Sequence, residues 1–201
     1  MTKAAIELPV LFFPAGADWE AWLAANHAAS PGVWLKFSKK TATIKSLSKQ
    51  DAIDGALCHG WIDGQIDAFD EDYWLIRFTS RKAASRWSDI NRKRALELID
   101  QDRMTPAGLA EIEKAKADGR WDKAYLSQGK ATIPADLQAA LDANAEAKQM
   151  FGTLSSVNRY AIIYRVNDAK KPETRLQRIE KFVAMLARGE TIHPQKAKPA
   201  R

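Results

Sequence analysis

The chain has 201 residues, of which 46% are hydrophobic and 28% charged, values that exclude wholesale disorder and a fibrous fold. Its single cysteine, Cys58, excludes an intramolecular disulfide. Prolines at 9 and 14 leave the apolar run 8–13 too short for a signal-peptide core or a membrane span, so we expect a cytoplasmic protein.

The net charge of +6 is unevenly distributed. Residues 1–80 carry 7 Lys and Arg against 10 Asp and Glu, whereas residues 81–201 carry 24 against 15. The basic second half permits an anionic partner, although a solvated helical surface is the simpler explanation of the same charges.

The N-terminal half alternates between strand and helix patterns. A short strand at residues 10–13 precedes a helix for which Asp18 is the expected N-cap. Alternating apolar residues at 33–38 predict a half-buried strand. Ser48 is the expected cap of a second helix, which Gly60 ends.

Residues 61–80 predict a β-hairpin with a definite register. Pairing Asp67 with Tyr73 across a five-residue loop gathers the apolar residues on one face and places Asp63 opposite Arg77. A slip of one residue would mix aspartates with aromatic residues, so this register is favoured. Trp61 precedes Ile62 at the start of the hairpin.

Beyond residue 80 the periodicity becomes helical. The expected helix starts are at Ser88, Thr105-Pro106, Ile133-Pro134, Asn144, Ser156 and Pro172. The fold class is α+β: a small N-terminal mixed or antiparallel sheet with two helices (1–87), followed by a helical region (88–190) and a flexible basic tail (191–201). We expect the two regions to form one structural unit.

Several catalytic and cofactor-binding motifs are absent from the sequence. It has no G-x-G-x-x-G, no G-x-S-x-G, and no complete phosphate loop, because Gly129-Lys130 lacks a glycine five positions earlier. The three histidines are far apart and there is no second cysteine. No cofactor and no metal are therefore expected.

The candidate site is the polar face of the hairpin together with the segment that follows it. Guanidinium groups bind carboxylate or phosphate, and indoles supply apolar walls, so a small anionic or planar ligand is the expected occupant. An alternative is equally open: Asp63 simply pairs with Arg77 across the strands, and both indoles are buried in the core. The candidate ligand-binding residues are Trp61, Asp63, Arg77, Arg81, Ser85, Trp87, Ser88 and Asn91, with Arg86 beside them.

Two residues are candidates for a general base in the same pocket, Asp63 and His59. His59 follows Cys58, but neighbouring residues on a helix point about 100° apart and do not form a catalytic pair. Cys58 is interpreted as a small buried apolar residue.

The last helix offers a third interpretation. Arg175, Arg178 and Lys181 lie on its exposed side, and with the preceding helix they resemble a helix-turn-helix reading DNA. Glu173 and Glu180 would repel the phosphate backbone, so nucleic-acid binding is the weaker alternative.

Four blocks of the chain carry a family resemblance. They are ALCHGWIDGQID, RFTSRKAASRWSDIN, RMTPAGLAEIEKAKADGRWDKAY and KKPETRLQRIEKFVAMLARGE. Together, over residues 8–194, they resemble the bacteriocin-protection family, also called YdeI/OmpD-associated. The resemblance implies protection against bacteriocins or antimicrobial peptides and association with an outer-membrane porin, and it implies no established catalytic residues.

The resemblance extends to individual positions. Three motifs match: Trp61, Ile62, Asp63 and Gly64 in G-W-I-D-G; Arg81, Ser85, Trp87, Ser88 and Asn91 in P-R-x-x-x-S-x-W-S-x-x-N; and Glu173, Thr174, Arg175 and Arg178 in E-T-R-x-x-R. Ser80 stands where the family usually has proline, which loosens the turn before Arg81. The first hypothesis is thus a stress-protection protein that holds a small anionic molecule, and a protein partner is a further possibility.

Overall fold

The computed structural model describes residues 7–126 and 129–195. The chain divides into two compact units, Met1–Ala124 and Tyr125–Arg201, called here the N-terminal and C-terminal units. The boundary expected at residues 87/88 lies inside the N-terminal unit, because the two helices that follow it pack with the helix at residues 49–58 in one hydrophobic cluster.

A mixed four-stranded sheet forms the base of the N-terminal unit, as the α+β class requires. Its strands are β1 (Val10–Leu11), β2 (Val33–Ser38), β3 (Trp61–Ala68) and β4 (Tyr73–Ser80), in the order β1-β2-β4-β3. β1 is parallel to β2, and the other neighbours are antiparallel. The alternation predicted for β2 is confirmed, since every second residue from Val33 is buried.

Two helices cover one face of this sheet, α1 (Gly16–Asn26) and α2 (Lys49–Cys58). Trp19 of α1 is fully buried, and its Nε1 donates to the Ala52 carbonyl of α2 at 3.0 Å. Ser48 caps α2 as predicted, accepting the backbone N–H of Asp51 at 3.0 Å. The helix α1 begins at Gly16 with Ala15 as its N-cap, so the prediction of Asp18 as the cap is wrong.

A second pair of helices packs on the far side of α2, namely α3 (Asp89–Asp100) and α4 (Pro106–Ala117). Ser88 caps α3 as predicted, and α4 begins at the predicted position, with Pro106 as its first residue. Because α2 lies between the sheet cluster and this helical cluster, residues 54–60 are all buried. A charged residue of α2, Asp54, is buried with them.

The hairpin adopts a different register from the predicted one. Asp67 pairs with Leu75 and Asp63 with Phe78, and a β-bulge places Gly64 and Gln65 opposite the single residue Arg77. The predicted pairings of Asp67 with Tyr73 and of Asp63 with Arg77 are therefore wrong.

The burial of one side chain explains the bulge. In the predicted register Trp61 would share the outer face with Arg77, whereas the bulge places it opposite Ser80, on the face of Phe78. Trp61 is 1% exposed and packs in the sheet cluster. Burying a large indole in the core outweighs an exposed pair of opposite charges, which contributes roughly 0.2–1 kcal/mol.

The described part of the C-terminal unit contains four helices: α5 (Ala135–Asp142), α6 (Ala145–Thr153), α7 (Ser156–Asn167) and α8 (Pro172–Ala187). They share one hydrophobic cluster that includes Leu137, Ile162 and Phe182. Asn144 caps α6 as predicted, but the cap of α7 is Ser155, one residue before the predicted Ser156. No helix among the described residues is long and apolar enough to cross a membrane.

The expected flexible tail is ordered where it begins. The backbone N–H of His193 donates to Asn158 Oδ1 at 2.8 Å, and Gln195 Oε1 accepts the N–H of Ser155 at 2.9 Å. Asn158 is 1% exposed, so burial of its amide holds residues 193–195 against the start of α7. The remainder of the predicted tail, 196–201, lies outside the described residues.

Candidate functional site

The two indoles expected to form pocket walls lie in different hydrophobic clusters. Trp61 packs at right angles to Trp22 with centroids 5.9 Å apart, and its Nε1 donates to the His27 carbonyl. Trp87 packs against Trp121 at 4.8 Å in the helical cluster. Trp61 and Trp87 are 1% and 2% exposed, so both are core residues.

Arg81 is stacked on one of these indoles. Its guanidinium carbon lies 3.6 Å from the centroid of the Trp87 ring, a distance typical of a cation–π contact. Its Nη1 donates to the Arg86 carbonyl at 3.3 Å. Ser85 supports the same turn, with its Oγ accepting the backbone N–H of Lys82 at 2.9 Å. Arg81, Ser85 and Trp87 therefore support one turn of the chain, in which Arg81 is only 7% exposed.

Two further arginines join this neighbourhood. Arg120 Nη1 donates to the Ser85 carbonyl at 2.7 Å, and Arg92 Nη1 donates to the Trp121 carbonyl at 3.4 Å. Arg120 and Trp121 could not be predicted from the sequence, because residues so far along the chain meet Trp87 only through the packing of α4. We call Arg81, Arg92 and Arg120 the arginine cluster.

The start of α3 is less suited to an anion than predicted. Ser88 Oγ accepts the N–H of Asn91 at 3.1 Å, so both residues serve the helix cap. Asp89 already supplies a carboxylate to the first turn, where it pairs with Arg92 and Lys93 at 3.0 Å. Hydrogen bonds from Lys93 in particular lower the pKa of Asp89, which keeps this carboxylate ionised.

Asp63 and Arg77 lie on the two paired strands of the hairpin, β3 and β4. Arg77 is an exposed residue of β4 and pairs across the ladder with Trp34 of β2. Asp63 is half-buried on the edge strand β3 beside the bulge. Their role in ligand binding stays a prediction, and the cross-strand pair that was to orient an arginine does not form.

His59 ends α2 and contacts a second histidine. Its Nδ1 lies 3.0 Å from the Gly55 carbonyl, and Nδ1 of His27 makes the same contact with Leu23 at 2.9 Å. The two rings lie 5.6 Å apart. Both Nδ1 atoms therefore serve as donors to helix ends, and the general-base role of His59 stays a prediction.

Cys58 is a buried free thiol, which confirms its interpretation as a core residue. Burial raises the pKa of this thiol to about 11, so the thiolate that nucleophilic chemistry needs is scarce near neutral pH.

Asp54 is a buried charge of the N-terminal unit that sequence reasoning missed. Asp54 is 2% exposed and accepts two hydrogen bonds from Arg94 at 2.5 and 2.8 Å and one from Gln50 at 2.8 Å. Burial alone would raise the pKa of Asp54, but the hydrogen bonds from Arg94 and Gln50 and the charges of Arg94 and Arg103 outweigh it and lower the pKa. The pair joins α2 to α3.

The predicted nucleic-acid surface is largely neutralised. Arg175 makes two hydrogen bonds to Asp136, at 2.5 and 2.9 Å, and Arg178 lies 3.6 Å from Asp168. Of the three predicted cations, only Lys181 has neither a hydrogen bond nor an ion pair with a carboxylate among the described residues. Nucleic-acid binding by α8 stays a prediction that these pairs disfavour.

Over residues 7–126 and 129–195, no group of three or more His, Cys, Asp or Glu side chains is arranged to hold a metal ion.

These features define an α+β protein in which a mixed sheet with helices on it precedes a unit of four helices. Residues 11–111, 101 of the 201, match the model of the family described as Domain of unknown function (DUF8412), and the chain belongs to this family. Residues 130–189 match the model described as Bacteriocin-protection, YdeI or OmpD-Associated, which confirms the predicted resemblance in the C-terminal unit. No curated protein and no solved structure matches the chain.

Proposed function

We propose that this protein binds a small anionic ligand at the arginine cluster and thereby acts in protection against bacteriocin or antimicrobial stress in the cytoplasm. The observation that carries the proposal is the gathering of three arginines around Trp87 and Trp121, namely Arg81, Arg92 and Arg120, each oriented by a backbone carbonyl. Backbone carbonyls fix the positions of these guanidinium groups, and Arg92 and Arg120 also pair with the carboxylates of Asp89 and Asp118.

The exposure of two guanidinium groups supports an anion as the ligand. Asp89 and Asp118 are the carboxylates bonded to Arg92 and Arg120. Arg92 and Arg120 are partly exposed, with side chains 30% and 17% accessible, so a ligand reaches them from solvent. Arg81 is better suited to support the site through its stack on Trp87 than to form its outer surface.

The test uses the fluorescence of the seven tryptophans, all of which lie within residues 19–121 of the N-terminal unit. Phosphate, pyrophosphate and citrate, compared at constant ionic strength, are expected to raise the thermal midpoint of wild type in a dose-dependent way, because ligands stabilise the state that binds them. Arg92→Gln and Arg120→Gln are each expected to raise the half-maximal concentration about tenfold, the loss of one charge-assisted hydrogen bond.

The matched control is Arg188→Gln, which removes the same charge from an exposed arginine of the C-terminal unit that pairs with Glu190. It is expected to leave the anion response unchanged. Equal responses of wild type, Arg92→Gln and Arg120→Gln would refute binding at the arginine cluster, and an unchanged profile for a folded Arg81→Ala protein would remove Arg81 from it.

The physiological part of the proposal is supported by the family description that matches residues 130–189. Cells that produce the wild-type chain are expected to survive a bacteriocin challenge better than cells that produce Arg92→Gln at equal level, with the protein recovered in the cytoplasmic fraction. Equal survival of cells with and without the chain would refute the protective role, and recovery in the envelope fraction would refute its cytoplasmic site.

A further inference from the structure

One buried side chain binds the main chain of the C-terminal strap, the name used here for residues 191–195. Asn158 Nδ2 donates to the His193 carbonyl at 2.9 Å, and Asn158 Oδ1 accepts the backbone N–H of the same residue at 2.8 Å. An amide that pairs with both main-chain groups of one residue recognises backbone and does not select the side chain. The side chain of His193 is accordingly exposed, although its main chain is held by a residue that is 1% exposed.

The strap is also bound through the side chain of Gln195. Its Oε1 accepts the backbone N–H of Ser155 and an N–H of Asn158, both at 2.9 Å, and its Nε2 lies 3.5 Å from the Thr153 carbonyl, to which it donates. Ser155 is the N-cap of α7. Because the site both donates and accepts, it matches the amide of glutamine, whereas an ionised glutamate could only accept.

The two remaining positions of the strap add an apolar contact and a rigid backbone. Ile192 is partly buried and packs against the hydrophobic cluster of the C-terminal unit, whereas Pro194 is exposed. Proline restricts φ, so less conformational entropy is lost when the strap becomes ordered. The bound pattern is therefore an aliphatic residue, any residue, proline and glutamine.

These contacts do not require the strap to belong to the same chain as α7. His193 and Pro194 are exposed, and hydrogen bonds hold the strap on both sides of them. Segments with so little buried apolar surface open locally at a low free-energy cost. Opening removes the partners of the buried Asn158 amide, which is unfavourable until equivalent groups replace them.

We propose that the junction of α6 and α7 is a recognition site for an extended segment of a partner protein with the pattern aliphatic-x-Pro-Gln, and that the strap occupies this site as an intramolecular competitor. Main-chain hydrogen bonds supply affinity in such a site, and the positions of Ile192 and Gln195 supply selectivity. The proposal does not depend on the arginine cluster, which belongs to the N-terminal unit.

The test measures binding of a fluorescein-labelled peptide with the strap's own sequence, Thr-Ile-His-Pro-Gln, to the full chain by fluorescence anisotropy. In wild type the tethered strap competes at a high effective concentration. Gln195→Ala removes the side-chain contacts of the strap, so its half-saturating peptide concentration is expected to be about tenfold below that of wild type. No binding to Gln195→Ala up to the millimolar range overturns the proposal, and so does equal half-saturation of the two proteins.

Two comparisons in the Gln195→Ala chain assign the site. A peptide with alanine in place of its glutamine is expected to bind about tenfold more weakly. Ser155→Pro and Ser155→Ala both remove the hydroxyl that caps α7, but only proline also removes the N–H that binds glutamine. The φ of −60° at Ser155 suits proline.

The original peptide is therefore expected to bind about tenfold more weakly to the Ser155→Pro protein than to the Ser155→Ala protein. Circular dichroism checks that both are folded, and the comparison of the two peptides needs neither of them. Equal affinity of the two peptides overturns the proposal, as does equal affinity of folded Ser155→Pro and Ser155→Ala proteins for the original peptide.

Discussion

Replacing Asp54 with alanine is expected to lower the free energy of unfolding of the N-terminal unit by about 3 kcal/mol. The reason is that Arg94 then loses two hydrogen bonds and its opposite charge while its side chain stays three-quarters buried, at 25% accessible. Arg103, whose Nη1 lies 3.8 Å from Asp54 Oδ2, also loses its attraction to this carboxylate. Urea unfolding followed by tryptophan fluorescence measures the change in this unit.

The matched control is Glu97→Ala, which removes the other carboxylate bound to Arg94. Glu97 is 57% accessible, so its loss is expected to cost less than about 1 kcal/mol. A similar cost for the two variants would show that burial does not strengthen the Asp54 pair. The double variant Asp54→Leu with Arg94→Met is expected to recover part of the loss, because it leaves no unpaired buried charge.

The pH dependence of the same pair has a definite sign. The pKa of Asp54 is lower in the folded protein than its ordinary value of 3.8. The contribution of Asp54 to stability is therefore complete above the unfolded-state pKa and is lost as the pH falls through the lower folded-state pKa. The difference in stability between wild type and Asp54→Ala is expected to shrink only below about pH 4.

Replacing Gly108 with alanine is expected to destabilise the N-terminal unit by about 3 kcal/mol. An added Cβ would meet the Cys58 carbonyl oxygen at 2.4 Å and the Leu57 carbonyl oxygen at 2.8 Å. Backbone atoms cannot rotate away, and Thr105 holds α4 to Cys58 through its backbone N–H and its hydroxyl. The whole start of α4 would have to move away from α2. Urea unfolding by tryptophan fluorescence is again the measurement.

Gly152 provides the control for this substitution. It lies within α6, has no positive φ, and an added Cβ would meet nothing within 4 Å. Gly152→Ala is expected to be neutral or to stabilise by roughly 0.5–1 kcal/mol, since alanine favours helix more than glycine does. Circular dichroism reports on it in the C-terminal unit. A Gly108→Ala protein as stable as wild type would refute the close contact between α2 and α4.

Local chemistry in the sequence predicted most of the elements. Ser48, Ser88 and Asn144 combine a side-chain acceptor with a following apolar period, and each caps the helix it was expected to cap. Asp18 fulfils the same local rule, yet α1 begins two residues before it at Gly16. A cap rule reports where a helix can start, whereas tertiary packing decides where it does.

The candidate site was harder to predict because its residues meet through packing. The stack of Arg81 on Trp87 lies within a short segment and could be anticipated as a neighbourhood. The approach of Trp121 depends on how α4 crosses α2, which no pattern in the sequence reports. The predicted hairpin register is wrong for a related reason, since burial of Trp61 in the core stabilises the fold more than pairing of Asp63 with Arg77 would.

The bulge in β3 has a consequence for how the protein behaves at high concentration. β3 is an outer strand of the sheet, and its residues 64–68 are exposed, so its free N–H and C=O groups would be a template for a strand of a neighbouring molecule. The bulge interrupts the regular spacing of these groups, and Asp63 and Asp67 add like charges that repel an identical edge. The bulge that allows Trp61 to be buried thus also disfavours edge-to-edge aggregation of the sheet.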